Sequence, residues 1–451
     1  MSHPSSSVAV VDDAASAVAP LGRNRSYWSL LVTQFLGAFN DNLFKQVVLL
    51  VCADYAARSA TGGTHYQPLA QFTFALPFVL FSGYAGFLAD RHSKRQIVVL
   101  CKVAEIAIMA LGIAAYADGR LSVLLGVLFL MGMQSAFFGP AKYGILPEIL
   151  RRADLPRANG WIQQTTFLAI IFGTAAGGWL KQEMGNQLWR VGMVCTVIAA
   201  VGTLTALPLQ HTPIARPGLP FHRSVLAINR PTVELLRRER GLLAALLLSS
   251  LFWFVAGVVQ QTVTDFGKRQ IQIGDARTAL LFTFTAVGIG IGCTLSGYLS
   301  HATIRFGLVR SGALGMSGCM VALAAVTEID RNPEWLEAIY RGGLCLLGGF
   351  AGVFVVPLQT YLQAAPPNDQ KGRVLGAMNL VNWIAILFSA AFYFLAQQLL
   401  LKLVAIWPAL APTSAPLPFH WVLGAMALLV LPIPLLFRRP DIPLTSSPPA
   451  S

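Results

Sequence analysis

Long apolar stretches separated by short polar loops dominate the pattern of this chain. A helix that crosses a bilayer needs about 20 mostly apolar residues. On that rule the chain predicts an all-α membrane protein with twelve membrane-spanning helices. They lie at 27–54, 69–89, 97–117, 121–147, 160–180, 188–209, 241–264, 278–300, 308–327, 338–363, 374–405 and 419–437.

A basic interval divides the twelve predicted spans into two sets of six. It covers 210–240 and carries six Arg against two Glu, and its later part predicts an amphipathic helix on an anionic membrane surface. Two sets joined in this way indicate repeated architecture with a binding site near the bilayer midplane. The predicted parts are a disordered cytoplasmic tail (1–26), a first six-helix bundle (27–209), a cytoplasmic linker (210–240), a second bundle (241–437) and a cytoplasmic tail (438–451).

Composition and charge agree with a membrane protein. Charged residues make up 12% of the chain, against about 25% in soluble domains. The formal net charge of +13 would suggest nucleic acid on a soluble chain, but here the basic residues concentrate in short loops, so no nucleic-acid partner is expected. The six cysteines lie in apolar stretches without a Cys-x-x-Cys pair, so neither a metal site nor a resident cofactor is expected.

The first span carries an unusual group of polar residues, Asn40, Asp41, Asn42 and Lys45. Asp41 lies about 14 residues into the span, near the bilayer centre, where a charge costs at least about 2.5 kcal/mol on insertion scales. Asp41 and Lys45 are four residues apart, so they can neutralise each other, and a self-compensated structural pair is the alternative to a binding site. A compensated structural pair would need no flanking amides, which favours a substrate or ion site.

Further polar residues lie in the third, fourth and fifth spans. Glu105 is expected to pair with Lys102, and it is either a coupling-ion or proton site or one half of a structural ion pair. Lys142 follows Gly139-Pro140, which should kink or open its helix, and it either reaches the membrane surface or binds a phosphate. The candidate binding residues here are Glu105, Gln134, Lys142 and Gln163.

The second set of spans keeps its charges mostly at span ends. Its candidate binding residues are Trp253, Gln260 and Asn379. A cavity with one polar and one apolar wall suits an amphiphile, although ordinary asymmetry between the two halves explains the same pattern.

The loop after the second span combines an acid with several bases. It reads Gly86-Phe-Leu-Ala-Asp90-Arg91-His-Ser-Lys94-Arg95. The carboxylate of Asp90 is expected to face the cations Arg91, Lys94 and Arg95 and to latch the two halves together in an outward-open state. A purely topogenic basic loop is the alternative.

Several of these segments resemble the lysophospholipid transporter family of the major facilitator superfamily. The resembling segments are QFLGAFNDNLFK (34–45), GFLADR (86–91), FFGPAKYGILPE (137–148), ANGWI (158–162), GTAAGG (173–178), LFWF (251–254), VPLQTYLQ (356–363) and KGRVLGAMN (371–379). GFLADR indicates only the superfamily, whereas FNDNLFK and GPAKYGILPE are more specific. Met378 departs from the family pattern, in which a second asparagine precedes Asn379.

The resemblance implies a flippase that moves lysophospholipids from the outer to the inner leaflet of the bacterial inner membrane, where an acyltransferase re-acylates them. Its expected partners are therefore lysophospholipid, membrane lipids and a cytoplasmic-side acyltransferase, with Na⁺ or H⁺ as a coupling cation. Two alternatives are a cation-coupled transporter of another small amphiphile or drug, and a non-transporting membrane partner of an acyltransferase. No histidine is followed five residues later by aspartate, the acyltransferase signature, so the chain is not expected to be an enzyme.

The distribution of basic residues predicts the orientation of the chain. With the N-terminus inside, cytoplasmic segments hold 20 Lys and Arg residues and outside segments hold nine. Both termini should therefore be cytoplasmic, and a reporter fused after Arg439 should be active only in the cytoplasm. Activity of that reporter on the outer side would contradict the twelve-span topology.

Overall fold

The protein is a bundle of long helices with two very short strands. The structure, a computed structural model, describes residues 19–58, 66–221, 228–329, 332–406, 418–437 and 439–444. Most of each predicted tail (1–18 and 445–451) lies outside the described residues. Residues 19–24 include one 3₁₀ turn, Leu21–Arg23, before the first long helix.

Six helices form the first half of the molecule. They are α1 (Arg25–Arg58), α2 (Tyr66–Arg91), α3 (Lys94–Asp118), α4 (Leu121–Ile149), α5 (Leu155–Met184) and α6 (Trp189–Ala206). The α4 helix continues through Pro140 without a break, so the helix does not open there as the Gly139-Pro140 pair predicted.

The linker and the second half supply the remaining elements. They are the short helix α7 (Arg230–Arg238), then α8 (Arg240–Asp265), α9 (Gly274–Ser300), α10 (Phe306–Ile329), α11 (Pro333–Ala364), α12 (Lys371–Ile406), α13 (Trp421–Val430) and α14 (Ile433–Leu436). Strand β1 (Thr303–Ile304) pairs antiparallel with β2 (Ile442–Pro443), and a five-residue π-helix, Phe266–Gln270, extends α8.

The predicted all-α fold is confirmed, and every predicted span falls on a helix. Within the described ranges, ten helices are long and apolar enough to cross a bilayer. Two predicted spans do not reach that standard. The α5 helix carries several polar residues, and the last span is divided by a turn at Leu431-Pro432 into α13 and α14.

The two halves pack their helices in the same order. In the first half α1 packs on α5, α2 on α4 and α3 on α6. In the second half α8 packs on α12, α9 on α11 and α10 on α13, which is the same pairing if the short linker helix α7 is left out. Two structural repeats produce such an equivalence. In it α8 is the counterpart of α1, and α11 is the counterpart of α4.

Two seams join the halves, α2 against α12 and α5 against α9, and glycines permit both. A Cβ atom on Gly86 would lie 2.6 Å from the carbonyl oxygen of Gly372, and one on Gly160 would lie 2.5 Å from that of Cys293. Small residues allow such close approach of helix backbones. Beside the second seam, Asn159 and Gln363 form a reciprocal, fully buried amide pair with N···O distances of 3.0 and 2.7 Å.

Asp90 links the halves at one end of the first seam, which we call the latch end; the opposite end is the far end. Its carboxylate accepts hydrogen bonds from the backbone N–H groups of Gly372 (2.6 Å) and Arg373 (3.1 Å) and from Arg373 Nε (3.0 Å). The two backbone donors belong to the first turn of α12, where N–H groups lack helical partners and attract anions. Asp90 is fully buried.

The predicted cationic partners of Asp90 were wrong. Arg91 lies over the Phe87 ring, 5.8 Å from its centroid, and Lys94 pairs with Glu148 of α4. Arg95 donates through Nε to the carbonyl oxygen of Leu209, at 2.6 Å. All three bases therefore contact residues of the first half. The cation that meets Asp90, Arg373, comes from the other half of the chain.

Replacing Asp90 with Asn should loosen the latch end. The change removes the charge but keeps the shape, and hydrogen bonds to charged groups are worth about 1.5–3 kcal/mol, enough to shift a balanced equilibrium by about tenfold or more. A single cysteine at the buried seam position Ala377 should then react faster with a water-soluble maleimide. Arg91→Gln is the matched control and should leave the rate unchanged; equal acceleration in both variants would contradict the Asp90–Arg373 latch.

Candidate functional site

A cluster of polar side chains lies in the middle of the first half. Its members come from three helices: Asn40 and Asp41 from α1, Lys102 and Glu105 from α3, and Gln134 and Ser135 from α4. All but Lys102 and Ser135 were predicted as site residues. The cluster therefore joins polar positions that are far apart in the chain.

Glu105 is the most fully bonded member of the cluster. It forms an ion pair with Lys102, as predicted, and accepts a hydrogen bond of 2.9 Å from Asn40 Nδ2 and a longer one of 3.4 Å from Gln134 Nε2. Glu105 and Lys102 are each 1% exposed. Because both oxygens of Glu105 have partners, this carboxylate is compensated in the observed state.

Two glycines create the space that Lys102 occupies. A Cβ atom on Gly37 of α1 would lie 3.1 Å from Lys102 Nζ, and one on Gly202 of α6 would lie 3.0 Å from Lys102 Cε. The lysine therefore crosses between α1 and α6 to reach Glu105. Larger residues at these positions would press on the side chain that neutralises the buried carboxylate.

Asp41 differs from Glu105 because it is only partly bonded and half-buried. Its Oδ2 atom accepts a hydrogen bond of 2.5 Å from Ser135 Oγ, whereas Oδ1 has no hydrogen-bond partner among the described groups. No N–O distance within 4.0 Å joins Asp41 to Lys45, so the direct ion pair that their spacing allows does not form. Lys45 Nζ instead donates to Asn42 Oδ1 at 3.0 Å and lies 5.0 Å from the centroid of the Phe74 ring on α2.

Lys142 is a second half-buried lysine on the cluster side of α4. Its Nζ atom lies 4.7 Å from the centroid of the Tyr143 ring and 5.9 Å from that of Phe138, and none of the described carboxylates lies within 4.0 Å of it. The Tyr143 hydroxyl donates to Gln163 Oε1 at 2.9 Å. Contacts with aromatic rings thus position Lys142 while its ammonium group stays without an anionic partner.

The candidate residues of the second half do not form a cluster of their own. Trp253 stacks on Phe167 of α5 with a centroid distance of 6.2 Å, and Asn379 donates to Ser82 Oγ of α2 at 2.8 Å. Both therefore contact the first half, whereas Gln260 is exposed and contributes to neither contact.

Sequence reasoning missed two polar arrangements because each joins distant segments. In the second half, Asn382 accepts a hydrogen bond of 2.9 Å from Ser250 Oγ, beside Ser249 and Gln359. In the first half, Gln34 bonds to a threonine pair of α5, Thr165 (2.6 Å) and Thr166 (3.0 Å). A serine or threonine inside an apolar span is too common to be a signal, since its hydroxyl usually bonds to its own helix.

The chemistry of the arrangement is electrostatic. Asp41 has a buried carboxylate oxygen without a hydrogen-bond partner among the described groups, which suits a cation. Lys45 and Lys142 have ammonium groups with no described carboxylate within 4.0 Å, which suit an anion. Among the described residues, no group of three or more His, Cys, Asp or Glu side chains could hold a metal ion. Asp41, Lys45 and Lys142 together suit a molecule that carries both a positive and a negative charge, or an anion together with a cation.

Comparison with known proteins agrees with the fold and with the family resemblance. The family model of the Major Facilitator Superfamily matches residues 26–390. The chain is 27% identical over 388 residues to a protein of Pectobacterium carotovorum named lysophospholipid transporter LplT, covering 85% of this chain and 89% of that protein. The protein of the same name from Enterobacter sp. is 28% identical over 394 residues, covering 85% and 93%.

Solved structures share the fold at low sequence identity. The human organic anion transporter MFSD10 aligns with a TM-score of 0.70 at 14% identity, covering 92% of this chain and 100% of that one. A bacterial homologue of the iron transporter ferroportin, in an outward-facing state, aligns with a TM-score of 0.66 at 15% identity, covering 91% and 98%. Since the family model spans most of the chain and the helices repeat in two equivalent sets of six, this protein belongs to the Major Facilitator Superfamily.

Proposed function

We propose that this protein carries lysophospholipids from the outer to the inner leaflet of the bacterial inner membrane, where an acyltransferase re-acylates them. The observation that carries the proposal is the group formed by Asp41, Lys45 and Lys142. It combines a half-bonded carboxylate with two ammonium groups that lack an anionic partner. Relatives named lysophospholipid transporter, similar over most of their length, support the same substrate class.

A lysophospholipid matches both kinds of surface in the molecule. Its phosphate suits Lys45 and Lys142, and the ammonium group of a zwitterionic headgroup suits the open oxygen of Asp41. Its single acyl chain needs an apolar surface, and the half-buried ring of Trp383, which packs on the buried rings of Phe74 and Phe78, lies in the region next to Lys45. The substrate would therefore lie with its headgroup at the first half.

Alternating access is the transport mechanism that we propose. Glycine contacts, the Asp90 latch and the Asn159–Gln363 amide pair all join the halves between the latch end and the middle of the helices. Closure at the latch end corresponds to an outward-open state if that end faces the cytoplasm, as the excess of basic residues predicts. Release of these contacts would open the opposite route.

The two carboxylates of the cluster have different proposed roles. Glu105 is compensated by Lys102, so we assign it a structural role in the observed state. Asp41 keeps one oxygen without a partner, so a coupling cation, Na⁺ or H⁺, would bind there. Only one of the two carboxylates is then available for coupling.

Replacing Asp41 with Asn should abolish most transport while leaving the fold intact. The side chain keeps its shape and can still bond to Ser135, but the charge that attracts a cation is lost. Uptake of lysophosphatidylethanolamine into liposomes containing the purified protein should fall by about tenfold or more, since a hydrogen bond to a charged group is worth about 1.5–3 kcal/mol. Any dependence of the rate on Na⁺ or on a proton gradient should disappear.

The double variant Asp41→Asn, Lys45→Gln separates a binding role from structural pairing. Because the structure places Lys45 on Asn42 and not on Asp41, neutralising both residues should not restore transport. Wild-type rates in the double variant would show that the two charges only compensate each other. If the wild-type protein moves no lysophospholipid at all but moves another amphiphile, the proposed substrate class is wrong.

Replacing Glu105 with Gln should act mainly on stability. The change leaves the ammonium group of Lys102 buried without a counter-charge, and breaking a buried ion pair on one side costs about 3–5 kcal/mol. The melting temperature of purified Glu105→Gln should therefore drop well below that of Asp41→Asn. Equal melting temperatures would indicate that Glu105 has no structural role.

A further inference from the structure

A second charged cluster lies near the far end of the second half. Its centre is Glu337 of α11, which is 1% exposed. Arg277 of α9 pairs with Glu337 Oε2, and Arg341, one turn further along α11, pairs with Glu337 Oε1. Glu337 and Arg341 are four residues apart, so the sequence allows them to pair, but nothing in it indicates that Arg277 joins them.

The cluster carries more positive than negative charge. Two guanidinium groups share one carboxylate, which leaves a formal charge of +1. Each guanidinium has five N–H donors, and each pairs with a single oxygen of Glu337. The Arg341 Nε atom is buried and has no hydrogen-bond partner among the described groups, whereas the side chains of Arg277 and Arg341 as a whole are 50% and 36% exposed. Donors are therefore left over for an additional anion.

The location of the cluster suits a molecule that enters between the halves. Arg277 lies on α9, the helix that forms a seam with α5, and Arg341 lies on α11, which occupies the position that α4 has in the first half. Arg341 is eight residues into α11, a depth of about 12 Å from the far end at 1.5 Å per residue. Its guanidinium carbon lies 5.9 Å from the centroid of the Phe284 ring on α9, which supports the charged group from one side.

We propose that Arg277 and Arg341, held by Glu337, form an entry site for the phosphate group of a single-chain phospholipid. Guanidinium groups match phosphate oxygens in geometry as well as charge. Glu337 orients both arginines and cancels part of their charge, which keeps the bound phosphate exchangeable, as a transporter requires. The lipid part of this assignment rests on the proposed function; the anion site itself does not.

Affinity measurements on the full-length protein in nanodiscs test the site. The probes are lysophosphatidylglycerol, a monoacylglycerol with the same chain but no phosphate, and glycerol 3-phosphate, which has no chain. The triple variant Arg277→Gln, Glu337→Gln, Arg341→Gln removes the net charge without leaving a buried carboxylate unpaired. It should raise the Kd for lysophosphatidylglycerol by about tenfold or more and leave the Kd for the monoacylglycerol unchanged.

The single variant Glu337→Gln should lower the Kd for lysophosphatidylglycerol, whereas the triple variant should raise it. Glu337→Gln raises the local charge from +1 to +2, and the amide that replaces the carboxylate still offers an oxygen that can accept a hydrogen bond from an arginine and keep it near its position. Lysophosphatidylglycerol should therefore bind more tightly, by severalfold, and more so at low salt. A merely structural cluster predicts weaker binding or no change instead. Arg269→Gln is the matched control, because Arg269 lies near the same end of the second half and pairs with Asp265 at 3.2 Å. Arg269→Gln should leave the Kd for lysophosphatidylglycerol and the Kd for the monoacylglycerol unchanged.

The outcomes separate the entry site from the transport function. The site would be overturned by an unchanged Kd for lysophosphatidylglycerol in the triple variant, or by weaker binding of this lipid in Glu337→Gln. Either result would do so even if the wild type transports lysophospholipid. The expected affinity changes in a protein that moves no lysophospholipid would support the site and overturn the proposed function. Binding of glycerol 3-phosphate as tight as that of lysophosphatidylglycerol would overturn the assignment to a lipid.

Discussion

The cost of placing a charge inside a bilayer is the constraint on which this structure depends. Glu105 satisfies it completely, because Lys102, Asn40 and Gln134 surround its carboxylate. Asp41 satisfies it only in part, with Ser135 on one oxygen and no partner among the described groups on the other. A compensated charge stabilises the helix packing, and an incompletely compensated charge in the same cluster can still bind a ligand.

Close backbone packing and fully paired polar groups hold the two halves together. Glycines at the seams let backbones approach so closely that no side chain fits between them, and buried polar pairs such as Asn159–Gln363 and Asp90–Arg373 then hold the register. Each pair has one member in each half. Separation of the halves would leave buried polar groups without partners unless water or substrate replaces them, so the closed latch end is a discrete state.

Sequence reasoning identified one pair whose partners lie on one helix and missed the pairs that form between helices. The Lys102–Glu105 pair is three residues apart and was predicted correctly. The Asp90 latch was assigned to bases in its own loop, although its cation, Arg373, is 283 residues away. Asp41 and Lys45 share a helix face, yet Lys45 donates to Asn42, lies over Phe74 and has no N–O distance within 4.0 Å to Asp41. Helical spacing shows which side chains could meet, and packing selects among the available partners.

The sequence alone determined the class of the protein, because a run of about 20 apolar residues has few alternatives to a membrane helix and every backbone group in such a helix is bonded internally. The polar residues that interrupt these runs also marked the region around Asp41, since their cost is visible without any structure. Tertiary structure alone decided which charges are paired and which remain available. It placed Arg373 on Asp90, left one oxygen of Asp41 open, and joined Arg277, Glu337 and Arg341 into one cluster. The pairings of Asp90 with Arg373 and of Arg277 with Glu337 depend on the close approach of different helices, and no local pattern of residues encodes that approach.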